Sequence, residues 1–307
     1  MTISTLTSKV ARSSRVGHLR RGLPGFVMST PAIAVFGLMM IVPMGLSIYL
    51  SFTNWNGYSP HPASVGWSNY QRLWSDPDVA HAIWVTGVLA VVGTLGINAI
   101  GLALAVAIHR PSRLNRVLRT LFFYPYVISA LIIGFLWSSI LGTDGVINTF
   151  WTNHGHDVLP FLSDPHWALA TLVLVSVWAG SGLTMVLYIA GLQTVPESLL
   201  EAARLDGAGP WTVFRRVKLP MIAPIVTVNI VLVLVAMMRT YELVLSLTGG
   251  GPAGRTATAA YLILGESFQN NALGYGSAQA AVLTVATGVL ALGVTLARRR
   301  RDAAVTA

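Results

Sequence analysis

The stretch Glu201–Pro224 reads EAARLDGAGPWTVFRRVKLPMIAP. It is a short polar and basic island between two long hydrophobic runs. Two amphipathic pieces are legible in it. The first runs from about Pro196 to Leu205, with Pro196 suited to a first helical turn because its missing N–H is not needed there. Asp206-Gly207 predicts a stop, since glycine reaches positive φ without a Cβ clash. Gly209-Pro210 restarts the chain. The second piece carries Trp211, Phe214 and Val217 together with Arg215, Arg216 and Lys218. Leu219-Pro220 closes it as the next apolar run begins. The pattern predicts a helix–turn–helix between two membrane spans, polar enough to be met by another protein.

Outward from the island, span four is expected at about Ala168–Leu192 and span five at about Met221–Leu247. Four further apolar runs fall at about Val27–Leu50, Ala82–Ile108, Leu121–Leu141 and Tyr275–Ala297. Runs of ~20 residues at a rise of ~1.5 Å cross a hydrocarbon core of ~30 Å. Kinks are expected at Pro31 and Pro43, and Pro125 lies early in span three. The composition agrees: 307 residues, 54% hydrophobic and only 10% charged, with a mean hydropathy of +0.65. That profile excludes an ordinary soluble domain. The absence of cysteine excludes disulfides, thiolate metal sites and a cysteine nucleophile.

The net charge of +9 raises the question of nucleic acid, but the charges stand at span ends. Membrane topology accounts for them better, so lipid and not nucleic acid is the expected surrounding. With the amino terminus inside, the tail 1–25 holds five Lys/Arg, the turn His109–Arg119 four, the island four and the tail 298–307 four. That places seventeen of the twenty basic residues inside, with Arg72 and Arg255 outside and Arg239 within span five. The positive-inside rule therefore predicts six spans with both termini cytoplasmic. The Ser- and Thr-rich tail also has the look of an organelle transit peptide. The long apolar run after it favours a cytoplasmic tail instead.

The island resembles the signature loop of ABC-importer permeases: Glu-Ala-Ala, three residues, Gly, nine residues, Ile, one residue, Leu-Pro. Glu201, Ala202, Ala203, Gly207, Leu219 and Pro220 fall on that pattern, and Val217 stands where Ile is usual. The basic count puts the loop inside, where an ATPase must be, and that agreement was not built into the match. In this family the loop holds a coupling helix that sits in a cleft of the ATPase. The resemblance assigns ATPase coupling to Glu201, Ala202, Ala203, Asp206, Gly207, Leu219 and Pro220. Shorter stretches are similar to the carbohydrate-uptake branch, the one with the maltose and glycerol-phosphate permeases. They are SFTNW at Ser51–Trp55, VGWSNY at Val65–Tyr70, GVIN at Gly145–Asn148, TGGGP at Thr248–Pro252 and GYGSA at Gly274–Ala278.

Other motifs yield to plainer readings. GGGPAGRT at Gly249–Thr256 has the spacing of a phosphate-binding loop with Arg255 for Lys. A working loop follows a strand and opens a helix; this one follows a span, contains Pro252 and lies outside. The histidines have no metal-ligand spacing, and no HExxH is present, so no metal is expected. No catalytic set appears.

A transport path through lipid-facing spans needs polar or aromatic groups. Span four offers Gly180, Ser181 and Thr184 near mid-membrane, with Trp178 one turn earlier. Span five offers Asn229, Val233, Met237 and Thr240 at helical spacing, then Tyr241 and Glu242. A sugar presents an apolar ring face for stacking and hydroxyls for hydrogen bonding, which suits Trp178 and Thr240. Small polar residues also serve as plain packing in membranes. Arg239 and Glu242 are three apart, so they either pair with each other or meet solute, as intramembrane charges often do.

The expected fold is an all-α polytopic bundle of six transmembrane helices, the type I ABC importer permease fold. Residues 26–81 hold the first helix and an external segment. Residues 82–297 form the permease core of five helices, with the loop at 194–220. The resemblance implies a second permease in a heterodimer, two ATPase subunits and an extracytoplasmic solute-binding protein. It implies ATP and Mg on the ATPase and no cofactor on this chain. Solute would cross a bacterial inner membrane by alternating access. Rival readings are a permease for an amino acid, peptide or phosphate, an ion-coupled secondary transporter, and a membrane-embedded enzyme. A secondary transporter would need a buried acidic relay and usually internal repeats; only Glu242 is available. The enzyme lacks a residue set.

Overall fold

The computed structural model describes residues 29–306, and side chains as far as residue 298. The basic tail expected at 1–25 and the side chains of Arg299–Arg301 lie outside that description. Among the described residues the regular structure is helical, apart from an isolated bridge between Thr53 and Ser64. In chain order the helices are α1 (Ser29–Leu50), α2 (Ser68–Ser75), α3 (Pro77–Ile108), α4 (Arg113–Val127), α5 (Ala130–Leu141), α6 (Val146–Asn153) and α7 (Pro165–Gln193). The island forms α8 (Glu197–Leu205) and α9 (Pro210–Met221). Then follow α10 (Ala223–Met238), α11 (Glu242–Leu247), α12 (Ala259–Leu264) and α13 (Leu273–Thr306).

Helices α1, α3, α7 and α13 are each long and apolar enough to cross a bilayer, as is the run Ala130–Asn153. A sixth crossing is available as the pair α9–α10, bent by 71°. Two Asp-Pro steps start the long helices. Asp76 accepts from the N–H groups of Asp78 (3.0 Å) and Val79 (3.4 Å) at the head of α3. Asp164 does the same for His166 (2.9 Å) and Trp167 (3.2 Å) at the head of α7. In each case the carboxylate serves amides that have no partner inside the helix, and Pro sits where no N–H is required.

Two expectations change. The basic turn at His109–Arg119 is largely helix. Ser112 caps α4 by accepting from Asn115 N–H at 3.0 Å. Arg119 then reaches back from α4 to the Ile108 and His109 carbonyls (2.7 and 2.8 Å), which α3 leaves open at its end. Span three, expected as one helix over Leu121–Leu141, is broken at Ile128–Ser129, where ψ is 140° and 137°. Pro125 in the last turn of α4 removes a backbone donor and weakens the helix there.

Span five is broken too. Helix α10 stops at Met238, Arg239 and Tyr241 leave helical geometry, and α11 begins at Glu242. The helical register assumed across Met237 and Thr240 is lost at this break, and so is the single helix assumed for Arg239 and Glu242. Among the described residues neither charge forms an ion pair.

Two apolar clusters hold the bundle at its two ends. At the island end, Ala105 and Ile108 of α3 and Met185, Tyr188, Ile189 and Leu192 of α7 pack with Leu200, Val213 and Ile222. At the opposite end, Val85 and Leu89 of α3, Ile133 of α5 and Leu172 and Val175 of α7 pack with Leu243, Val244 and Leu247 of α11. Tyr188 also donates to Asn98 Oδ1 at 2.7 Å, tying α7 to α3. Helix α1 rests on α13 and leaves most of its surface uncovered.

Candidate functional site

The island folds as a fixed double helix at one end of the bundle. Helix α8 ends in two backbone bonds, Gly207 N–H to the Arg204 carbonyl and Ala208 N–H to the Ala203 carbonyl, both 3.0 Å. Gly207 has φ +77°. Together these form a Schellman termination, which satisfies carbonyls that the helix would leave open. Ala203 and Gly207 of the signature are thus two halves of one turn. Pro196 sits just ahead of α8 as its cap residue, with ψ 132°, one step before the first turn expected for it.

One face of the island faces the bundle and the other faces outward. Leu200 and Val213 are buried, and Ala203, Ala208 and Val217 pack partly against the same cluster. The outward face presents Glu201, Ala202, Asp206 and Gly207, with Leu205 89% and Trp211 70% exposed. Glu201 has no ion pair among the described residues; the one that forms nearby joins Arg204 to Glu197 at 3.7 Å. That pair is exposed and adds little. Leu219 is half-buried and Pro220 exposed. The chain bends two residues later at Ile222, which is fully buried with ψ 7°. Both island helices are therefore anchored on α7 and on the foot of α10.

The second feature is a cavity of about 500 Å³ where the spans break. Its walls come from the α4–α5 break (Pro125, Tyr126, Ile128), from α7 (Ser176, Ala179, Gly180) and from the α10–α11 break (Met237, Arg239, Thr240, Tyr241, Glu242). Of the expected path residues it brings together Gly180, Met237, Thr240, Tyr241 and Glu242. Trp178, Ser181, Thr184, Asn229 and Val233 lie outside its walls.

The reasons are local. Trp178 stands edge-on to Trp137, ring centres 5.5 Å apart. The hydroxyls of Ser181 and Thr184 turn back to their own helix, onto the Trp178 and Gly180 carbonyls at 3.1 and 3.3 Å. Thr184 fills the space left by Gly101, where a Cβ would come within 2.8 Å of the Thr184 Cβ. Asn229 is buried in α10 and Val233 is half-buried.

Sequence reasoning missed Tyr126 and Ser176, and it left Arg239 open between pairing with Glu242 and meeting solute. A usable signal was present. Pro125 in span three marks a position where a straight helix is unfavourable, and two charges inside span five mark a functional position by default.

The glycine-rich segment after α11 fastens one side of the cavity. Thr258 Oγ1 donates to the Thr240 carbonyl at 2.7 Å, so the strap holds the break itself. Tyr261 donates to the Gly249 carbonyl at 2.7 Å. Its ring lies against Gly250, where φ is +79° and a Cβ would come within 2.7 Å. Thr256 is buried and donates to the Gly251 carbonyl at 2.7 Å. These contacts give TGGGP a structural role.

Comparison with known proteins agrees with this geometry. Residues 97–302 match the family described as the inner membrane component of binding-protein-dependent transport systems. The probable starch degradation products transport system permease AmyD of Thermoanaerobacterium thermosulfurigenes is 30% identical over 284 residues, covering 91% of this chain and 95% of the relative. The sn-glycerol-3-phosphate transport system permease UgpA of Brucella abortus is 31% identical over 266 residues, covering 85% and 89%. A chain of the bacterial alginate ABC transporter, solved with an alginate-bound periplasmic protein, superposes with a TM-score of 0.80 at 22% identity. That superposition covers 93% of this chain and 97% of the other, and it shows a shared fold. The chain belongs to the inner membrane components of binding-protein-dependent transport systems, the multi-pass permease subunits of ABC importers.

Proposed function

We propose that this permease moves a sugar or sugar-like solute inward by alternating access, driven by ATP bound with Mg on separate ATPase subunits. The observation that carries the proposal is a continuous mechanical link. The island is packed onto α7 and the foot of α10, and the same two helices wall the cavity. In this reading, displacement of the island is carried to the cavity by α7 and α10. The cavity chemistry suits a carbohydrate. Tyr126 and Tyr241 offer ring faces, Arg239 and Glu242 offer hydrogen-bonding groups, and the Thr240 hydroxyl, which donates to the Ala236 carbonyl at 3.3 Å, offers an acceptor oxygen. The sugar-related names of the relatives support the same solute class.

The working assembly in this proposal is a heterodimer of this chain with a second permease, two ATPases seated on the two islands, and an extracytoplasmic solute-binding protein. In this reading the nucleotide is held by the ATPases and not by this chain. Both termini are cytoplasmic, as the distribution of Lys and Arg indicates. A cytoplasm-restricted reporter fused after Arg116 should be active and one fused after Gly254 inactive; the reverse pattern sinks this orientation. The function is tested by reconstituting the purified complex in vesicles. Uptake of the cognate sugar should require ATP and the binding protein together. ATP-independent uptake driven by an ion gradient would overturn the proposal.

A further inference from the structure

A second hollow, of about 400 Å³, lies between α3, α10, α12 and α13; its wall residue Met238 stands between Met237 and Arg239 of the cavity at the breaks. Its walls are almost wholly apolar. One polar wall residue, Thr86, is satisfied: its hydroxyl donates to the Ala82 carbonyl (2.7 Å) and accepts from Ala259 N–H (2.8 Å). The other, Gln279, is not. Its residue is 5% exposed, neither Nε2 nor Oε1 makes a hydrogen bond of good geometry, and its polar neighbour is the Tyr275 hydroxyl one turn back. A buried amide left unpaired is unfavourable, so this one marks a place where a polar group of another molecule is wanted.

The shape of the hollow narrows the choice. Gln279 stands six residues after Leu273, about 9 Å along α13 from its start at ~1.5 Å per residue. That end of α13 is polar. Tyr275 donates to Asp76 Oδ2 at 2.8 Å, and Arg72 lies over the Tyr275 ring at 3.9 Å. From Gln279 the groove follows one face of α13 through Val282, Ala286, Leu290 and Val294. Fifteen residues span about 22 Å, more than the ~15 Å of one leaflet's hydrocarbon. A membrane helix has its backbone polar groups already paired and offers none of them to Gln279.

We propose that the groove binds a diacyl glycerophospholipid from the leaflet on the Tyr275 side. One acyl chain runs along α13 toward Val294, and the ester carbonyl at its head accepts a hydrogen bond from Gln279 Nε2. The site does not depend on the identity of the transported solute.

The test uses the full chain in the complex isolated from its membrane. The probe is phosphatidylethanolamine with a photoreactive diazirine midway along one acyl chain. After dilution into lipid-free detergent, labelling at Ala286 and Leu290 should persist, and labelling at exposed Val285 and Val289 should vanish. Ala286→Trp fills the groove and should lower the retained labelling by at least tenfold. Gln279→Leu should lower it by about threefold to tenfold, the value of one hydrogen bond. The dilution result on the unaltered chain stands by itself if either variant fails to fold. Equal loss on both faces of α13 would overturn the proposal, as would retained labelling undiminished in two folded variants. Labelling confined to the isolated chain and absent from the complex would show that another subunit's segment covers the groove, and would overturn it too.

Discussion

In the signature loop, one turn is fixed within six consecutive residues. The Ala203 and Arg204 carbonyls receive the N–H groups of Ala208 and Gly207, and φ at Gly207 is +77°. In the cavity, Tyr126, Gly180 and Tyr241 are neighbours in space although they are far apart in the chain. The first region is local backbone geometry, and its residues are specified by turn chemistry. The second depends on where two spans break and on how α7 sits between them. A substitution in the loop therefore acts on one well-defined turn and on whatever docks there. A substitution in the cavity removes one contact among several.

The largest effect is expected at Gly207. Valine there would have to adopt left-handed φ, a cost of about 1–2 kcal/mol for a residue with a Cβ. None of the described residues lies within 4 Å of that Cβ, so its side chain would project into the docking space. Gly207→Val should leave membrane abundance near normal and reduce ATP-coupled uptake by tenfold or more. Solute-stimulated ATPase activity in reconstituted complexes should fall in parallel. Near-normal coupling would break the comparison, because the loop would then tolerate what its geometry forbids.

Next comes Glu201, exposed and without an ion pair among the described residues. It shares the outward face with Asp206, and a carboxylate there can accept charge-assisted hydrogen bonds from an arginine on the ATPase. Glu201→Lys reverses the charge without touching the Schellman turn, so the folded abundance should be unchanged. Coupled uptake should fall by roughly tenfold, the size of one charge-assisted contact. Equal activity of Glu201→Lys and the parent complex would restrict the loop's role to shape.

How much of each region was legible follows from the same contrast. The island helices, the stop at Asp206-Gly207 and the restart at Gly209-Pro210 are local signals, and they stand close to where the pattern places them. Spans two, four and six follow from apolar length alone. The breaks in spans three and five do not. Hydropathy is continuous across Ile128–Ser129, so a window over composition sees one helix where the backbone has two. Thr240 reaches the cavity, but through the loss of helical register and not along the helical face first assigned to it, and Tyr241 joins it at the break. Thr184 looked like a path residue and proved to be the partner of Gly101. A small polar residue that packs and one that meets solute look alike in sequence.

Within the cavity the effects should be moderate. Tyr241 follows the break and is half-buried, with its ring 6.2 Å from that of Tyr261. Tyr241→Ala removes a stacking face, and Arg239→Gln removes a charged donor while keeping an amide. Each should raise the solute concentration for half-maximal uptake by about threefold to tenfold, one contact's worth. Assembly with the ATPase should be unaffected. Unchanged uptake in both variants across solute concentrations would remove the α10–α11 break from the path. Trp178→Ala should do less, because Trp178 meets Trp137 and not the cavity; an effect as large as that of Tyr241→Ala would place it back on the path.

The smallest effect is expected at Ser181, and it is the sharpest check on the division between packing and path. Its side chain is buried, and its hydroxyl donates to the Trp178 carbonyl at 3.1 Å, one turn back on α7. A hydroxyl satisfied in this way has no donor left for a solute. Alanine removes one oxygen, leaves little space, and is the better helix former by a few tenths of a kcal/mol. The local balance is a lost bond of about 1 kcal/mol or less against that gain. Ser181→Ala should therefore leave uptake within about twofold of the parent and assembly intact. Serine and alanine are both small, so helix packing against α3 is preserved in either case. A tenfold loss of uptake at normal abundance could not come from packing. It would mean that the hydroxyl turns toward solute during transport, and the boundary between the two classes of residue on α7 would have to be redrawn one turn closer to the island.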